Sequence, residues 1–317
     1  MTKSFRNVLA ICATTACLGV SAQAVEFINI LTGGTSGIYY PLGVSLSQIY
    51  SKAMPDAKTA VQATKASIEN LNLLQADRGE VAISLGDSFS DAYKGDAEAG
   101  FKAPLTKLRT IAALYPNYIH FVAAADSGIK SFADIKGKRI SVGAPKSGTQ
   151  LNSQKILEAA GISYKDFSKV EYLSYAESVE LMKNRQLDVT LLSSGAGVAA
   201  LRDLAVSQKV VFLTIPADIV KKINDPAYGV GIIPANTYEG QTADVHTIAV
   251  QNFLVTRAGV STDTVYKMTK SMFENLDQMV AAHAAAKAIK KENAISSLPA
   301  PLHPGAEKYY REVGLLK

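Results

Sequence analysis

The apolar run Phe27 to Leu31 leads directly into Thr32-Gly33-Gly34-Thr35-Ser36-Gly37-Ile38-Tyr39-Tyr40-Pro41-Leu42-Gly43, and a helical pattern with Leu42, Leu46, Ile49 and Ala53 on one face follows. The same order of strand, Gly/Ser/Thr loop and helix returns at 138–160, with the loop Gly143-Ala144-Pro145-Lys146-Ser147-Gly148-Thr149. A looser version occurs at 188–202 around Ser193-Ser194-Gly195-Ala196-Gly197. Strands alternating with helices in this way call for an α/β fold with mixed, mostly parallel sheets. The unit also constrains chemistry. A helix that starts from a Gly/Ser/Thr loop presents unpaired N–H groups and the positive end of its dipole, which suits a carboxylate or phosphate. In open α/β sheets such sites lie outside the carboxyl ends of strands. Two of these units in separate lobes would face each other across a cleft.

The rest of the chain continues the alternation. Pro41 is expected at the first position of its helix, and Ser67 is expected to cap a helix carrying Ile68, Leu71 and Leu74. Val81–Leu85 reads as a strand ending at Gly86-Asp87-Ser88. Residues 108–114 and 118–124 read as two strands separated by a turn at Tyr115-Pro116-Asn117. A capping box is predicted at Ser174-Tyr175-Ala176-Glu177, and Gly161 is expected just past a helix end. Strands follow at 188–192, 210–215 and 248–255. Val265, Met268, Met272, Leu276 and Met279 share one face of a single long helix and read as core.

With 317 residues, 48% hydrophobic and 19% charged, the chain has globular composition and room for two domains. Its net charge of +5 is not gathered into a basic block, which argues against nucleic-acid binding. Lys3 and Arg6, an apolar run at 8–20 and Ala22-Gln23-Ala24 are expected to form a secretory signal peptide cleaved after Ala24. The apolar run is shorter than the roughly 20 residues that a spanning helix needs. Both cysteines, Cys12 and Cys17, fall in this segment, and their flanks fit a lipidation box poorly. The mature chain is therefore expected to be a soluble periplasmic monomer without thiol chemistry. The loop at 143–149 has Thr149 where a phosphate-binding loop needs lysine, and Gly33-Gly34-Thr35-Ser36-Gly37 is not a dinucleotide fingerprint. His120, His246, His283 and His303 show neither catalytic nor metal-ligand spacing. No cofactor and no metal are expected. Tyr39 and Tyr40 point different ways at a helix start, so one should enter the core and the other meet a ligand. Asp87-Ser88 could cap a helix or orient a ligand.

Several segments together resemble one family. These are 32–43, Ser67-Ile68-Glu69-Asn70-Leu71, Ala113-Leu114-Tyr115-Pro116, 134–140, 143–149, Phe273-Glu274-Asn275-Leu276 and 301–306. In this order they look like the TAXI-type solute-binding subunits of TRAP transporters. The resemblance implies a two-lobed periplasmic binding protein of type II, not an enzyme. It would capture a small carboxylate or amino acid, such as glutamate, glutamine or 2-oxoglutarate, and deliver it to the TRAP membrane subunit. By this analogy residues 25–117 and 259–317 form lobe 1, and 118–258 form lobe 2. Thr32, Gly33, Gly34, Thr35, Ser36 and Tyr39 would line the cleft from one lobe, and Ser147, Gly148 and Thr149 from the other. Asp87, Ser88, Ser194 and Gly195 would complete the site, with Arg257 or Lys146 as partner for a second carboxylate. The family often has Thr-Gly-Gly-Ser where this chain has Thr64-Lys65-Ala66-Ser67, Gln-Ala-Asp for Leu85-Gly86-Asp87, and Gly-Ala-Pro for Gly195-Ala196-Gly197 after Ser194. Those changes alter polar pairing near the cleft and put a dicarboxylate without an amino group on an equal footing with glutamate. Two other classes stay open: a secreted serine hydrolase using Ser36 or Ser147, and a receptor that reports to a signalling partner.

Overall fold

The computed structural model describes residues 26–317; the expected signal peptide and both cysteines lie outside them. In chain order the elements are β1 (Phe27–Leu31), α1 (Tyr39–Ala53), β2 (Lys58–Gln62), α2 (Ser67–Gln75), β3 (Val81–Leu85), α3 (Gly86–Lys94), β4 (Leu108–Ala124), β5 (Arg139–Ser141), α4 (Gly148–Ala159), β6 (Lys169–Glu171), α5 (Tyr175–Lys183), β7 (Val189–Ser194), α6 (Ala199–Ser207), β8 (Val210–Leu213), α7 (Ala217–Ile223), β9 (Tyr228–Ile233), β10 (Val245–Arg257), α8 (Thr262–Glu274), α9 (Leu276–Ala282) and α10 (Pro304–Glu312).

The strands form a ten-stranded mixed sheet in the order β2-β1-β3-β10-β4-β7-β5-β6, with β8 on β4 and β9 on β10. Parallel pairing is confined to two triplets, β2-β1-β3 and β6-β5-β7. Every antiparallel pair involves β4 or β10. These two long strands run through both halves of the molecule. Residues 108–113 of β4 pair with 253–257 of β10, and 118–123 of β4 pair with β7. The sequence pattern had suggested two strands divided at Pro116. A proline removes one ladder N–H but fits extended backbone. Here it sits opposite Gln251, next to a register shift, and side-chain amides replace the lost ladder bonds. The Asn252 Nδ2 donates to Tyr115 O at 2.8 Å and to Asn117 Oδ1 at 2.7 Å.

Helices cover both faces, as the alternating pattern requires. Ile28 and Ile30 of β1 meet Leu42, Leu46 and Tyr50 of α1 and Val265, Met268 and Met272 of α8 in one core. Leu31, Leu71, Leu74, Phe89 and Phe253 form another core on the same half, and Phe121, Ile140, Ile156 and Leu191 belong to the core of the other half. Each such side chain, fully buried, contributes about 1.5–3 kcal/mol. Three local expectations need correction. Pro41 is the third residue of α1, not the first, because the helix starts at Tyr39. Ser67 does not cap α2; its Oγ accepts the Leu85 N–H at 3.1 Å. The long C-terminal helix breaks at Asn275 (φ −128°, ψ 35°), yet Met279 stays buried beyond the break.

Candidate functional site

Three loops at strand ends converge near the waist of β4 and β10. The first follows β1. Thr32 is buried and locked: its Oγ1 donates to Gln62 O at 2.8 Å, and its carbonyl accepts from Asn70 Nδ2 at 2.7 Å and Thr64 Oγ1 at 2.9 Å. The chain then turns, with Gly37 N–H donating to Gly34 O at 3.0 Å, and enters α1 without a side-chain cap. Gly43 lets α1 lie close to β1, because a Cβ there would come within 2.4 Å of Thr32 Cγ2.

The second loop precedes α4. Ser147 caps that helix by accepting the Gln150 N–H at 3.1 Å and donates to Ala144 O at 2.7 Å. The third is the end of β7, where Ser193 O accepts from Asn117 Nδ2 at 2.8 Å and from the Tyr175 hydroxyl at 2.6 Å. Tyr175 opens α5 behind the predicted capping box, which is present, and its hydroxyl lies 2.9 Å from Thr149 Oγ1.

Between these loops lies a cavity of about 120 Å³. Of the residues expected on it, Gly33, Gly34, Ser36 and Tyr39 line one side, and Ser147, Thr149 and Ser194 line the other. The rest are placed elsewhere. Thr32 stands behind the wall, and Thr35 is exposed beside it. Gly148 is the contact point between the halves: a Cβ there would lie 2.7 Å from Ser67 Oγ. Gly195 packs against Ile38 and Tyr115. Asp87 is fully buried and held by the Tyr228 hydroxyl and Asn152 Nδ2, both 2.6 Å from its Oδ2; Ser88 Oγ points at the same carboxylate. Arg257 is tied to Glu80 at 2.9 Å, and Lys146 is exposed outside the cavity. Sequence reasoning did not name Thr64, Ala66, Asn117, Ser174 or Tyr175 as site residues, though all line the cavity. The capping box at 174–177, a helix start just after β6, was the available signal for the last two. Of the two adjacent tyrosines, Tyr39 reaches the cavity and donates to Asn252 Oδ1 at 2.5 Å.

The electrostatics are simple. Lys65 is the one charged residue among those lining the cavity. Burial raises the hydroxyl pKa of Tyr39, Tyr115 and Tyr175, the last to about 12, so all three remain neutral donors. Burial pushes Asp87 up to about 6. Behind the third loop, burial lowers His120 to about 4; its Nδ1 is 2.9 Å from Tyr118 O and its Nε2 is 2.9 Å from the Tyr238 hydroxyl, which also accepts the Gly197 N–H. Ala66 adopts φ 70°, ψ −143°, a region that glycine occupies readily and alanine does not.

The halves touch around the cavity. Glu69 N–H donates to Lys146 O at 3.2 Å and Ala200 N–H to Ser36 O at 3.3 Å. Lys155 of α4 bridges Asp91 of α3 at 2.9 Å and Asp225 at 3.2 Å. A sheet of two parallel triplets, joined by two shared strands and closed over a small cavity, is a clamp in form. The sequence matches the NMT1-like family over residues 30–314. The chain belongs to that family. Its fold is that of two-lobed periplasmic binding proteins. PhnD1 from Prochlorococcus marinus, solved with methylphosphonate, is similar over 92% of this chain and 99% of its own, with a TM-score of 0.61 and 13% identity. A structure from work on glutathione import through GshT and the cystine ABC importer TcyBC of Streptococcus mutans covers 84% of this chain and 98% of its own, at TM-score 0.52 and 14% identity. The periplasmic aliphatic sulphonate binding protein SsuA from Escherichia coli covers 92% and 79%, at TM-score 0.47 and 14% identity. As an NMT1-like protein the chain shares its architecture with solute-binding proteins. Among its described residues no helix is long and apolar enough to cross a membrane.

Proposed function

We propose that this NMT1-like protein is a periplasmic receptor that closes over a small carboxylate-bearing solute and delivers it to the membrane subunit of a TRAP-type transporter. One observation carries the reading: the cavity sits between the two halves and is walled by the starts of α1, α4 and α5 together with hydroxyl groups. Backbone N–H groups at helix starts favour an anionic oxygen ligand. Lobe 1 would comprise residues 25–117 and 259–317, and lobe 2 residues 118–258, hinged where β4 and β10 cross. A solute held by both lobes favours the closed state, which the permease would recognise. The TAXI-like segments supply the TRAP assignment. No histidine lines the cavity beside Ser36 or Ser147, which supports a receptor over a hydrolase.

Native mass spectrometry of the purified monomer, followed by thermal shifts with amino acids, dicarboxylates and other small acids, tests this. A solute at 100 times its dissociation constant adds about 2.7 kcal/mol of stability. A raised melting temperature with a small carboxylate is expected; no shift with any of them would reject the ligand class. The same donors suit a tetrahedral oxyanion, so methylphosphonate, the ligand seen with PhnD1, belongs in the panel as the second reading.

A further inference from the structure

We propose that closure of the two halves takes up a proton on Asp87, so that acid pH favours the closed, solute-holding form. The proposal rests on the closing motion of the receptor reading above, not on the identity of the solute. Asp87 stands at the start of α3 in the first half, yet the groups that seal it come from the second. Its Oδ2 accepts from Asn152 Nδ2 of α4 and from the Tyr228 hydroxyl of β9, both at 2.6 Å. Its own helix adds the Ser88 hydroxyl, 3.4 Å from Oδ1, and the Ser88 N–H. When the halves part, Asn152 and Tyr228 leave with theirs, and the carboxylate meets water.

The charges around Asp87 act in the same direction. The cation that faces it, Lys155 of α4, already holds Asp91 of α3 at 2.9 Å and Asp225, just before β9, at 3.2 Å. Closure therefore gathers three acidic groups around one ammonium. Tyr39 of α1 and Tyr228 also face Asp87, and burial keeps both hydroxyls protonated. A carboxylate sealed from water and held by neutral donors is costly to keep charged. Burial accordingly raises Asp87 to about 6, against the opposing pull of Tyr228 and Lys155. The neutral form has an acceptor at hand, because Asn152 Oδ1 is buried without a partner. Turning that amide over sets Oδ1 within hydrogen-bond distance of Asp87 Oδ2, where it can receive the proton. Opening returns Asp87 to the ordinary carboxylate value of about 4. The closed form thus holds the extra proton. Its advantage is complete below about pH 4 and is lost as pH rises through 6.

Distances measured between the halves of the ligand-free protein test this. Both cysteines of the sequence precede the described residues, so Lys102→Cys and Gln154→Cys, one in each half on a shared surface groove, supply a pair for spin labels. Pulsed electron paramagnetic resonance should show two distance populations. Their ratio of closed to open should be about tenfold higher at pH 5 than at pH 8. Asp87→Asn in the labelled protein should remove that pH dependence. Tyr228→Phe, which deletes one donor to the carboxylate, should move its midpoint above 6. Two populations whose ratio ignores pH, or an equal pH response in Asp87→Asn, would overturn the proposal and leave the receptor reading intact. One unchanging distance at both pH values would refute the closing motion, and the proposal with it. Failure of every carboxylate to bind would reject the ligand class without altering this result.

Discussion

Gly148→Ala separates closure from direct ligand contact. Gly148 is not on the cavity wall, but an added Cβ would stand 2.7 Å from Leu85 Cδ1 and Ser67 Oγ and 3.0 Å from Ser67 Cβ. Leu85 can rotate away. Ser67 cannot do so freely, because its Oγ holds the Leu85 N–H. Ordinary contact begins at about 3.5 Å, so α4 and α2 must part by roughly 0.8 Å. Overpacking of this kind costs about 1–3 kcal/mol. Because the clash exists only when the halves are closed, the cost falls on solute binding, a loss of about 5-fold to 150-fold in affinity. The ligand-free protein opens to relieve it, so its melting temperature should barely move. Gly229→Ala is the matched control, since its Cβ would approach nothing nearer than Ala249 O at 4.0 Å. Calorimetric titration of both variants decides the matter. Wild-type affinity in Gly148→Ala would refute closure across this contact.

Three further outcomes concern individual side chains. His120, lowered to about 4, has a folded pKa below its unfolded value, so its contribution is complete above about pH 6.5 and lost as pH falls toward 4; Asp87, raised to about 6, contributes fully below about pH 3.8 and loses that contribution as pH rises through 6. Each is worth about 3 kcal/mol and the two oppose each other, so urea unfolding between pH 4 and 6.5 should show a steeper acid loss in Asp87→Asn than in wild type. Ala66→Gly should raise stability by about 1 kcal/mol, the relief of a strained alanine less the added freedom of the unfolded chain; a lower melting temperature would contradict it. Lys155→Ala removes the bridge between Asp91 and Asp225 and should weaken solute binding about tenfold, with less effect at high salt; unchanged affinity would place that bridge outside the closing motion.

What the chain revealed in advance was local. The loops at 32–38 and 143–149 and the capping box at 174–177 each contain, in a few consecutive residues, the glycines and hydroxyls that set their geometry. The alternation of apolar runs likewise exposed the α/β plan. What stayed hidden depends on distant partners. Pro116 reads as a break until Asn252, 136 positions later, supplies the amide that bridges the waist. Asp87 reads as a ligand residue until Asn152 and Tyr228 close over it. Asn117 and Tyr175 reach the cavity only through β4 and α5 packing, which no local pattern encodes. The substitution of Ala66 and Lys65 into the loop before α2 was visible, but its strained backbone was not.

A crystal structure grown with the tightest-binding carboxylate tests the two-jawed receptor most directly. The expected density lies between the start of α4 at Ser147 and Thr149 and the loop at Gly33 to Ser36, with the carboxylate on backbone N–H groups. A carboxylate found outside this cavity, or one contacting a single half of the sheet, would contradict it.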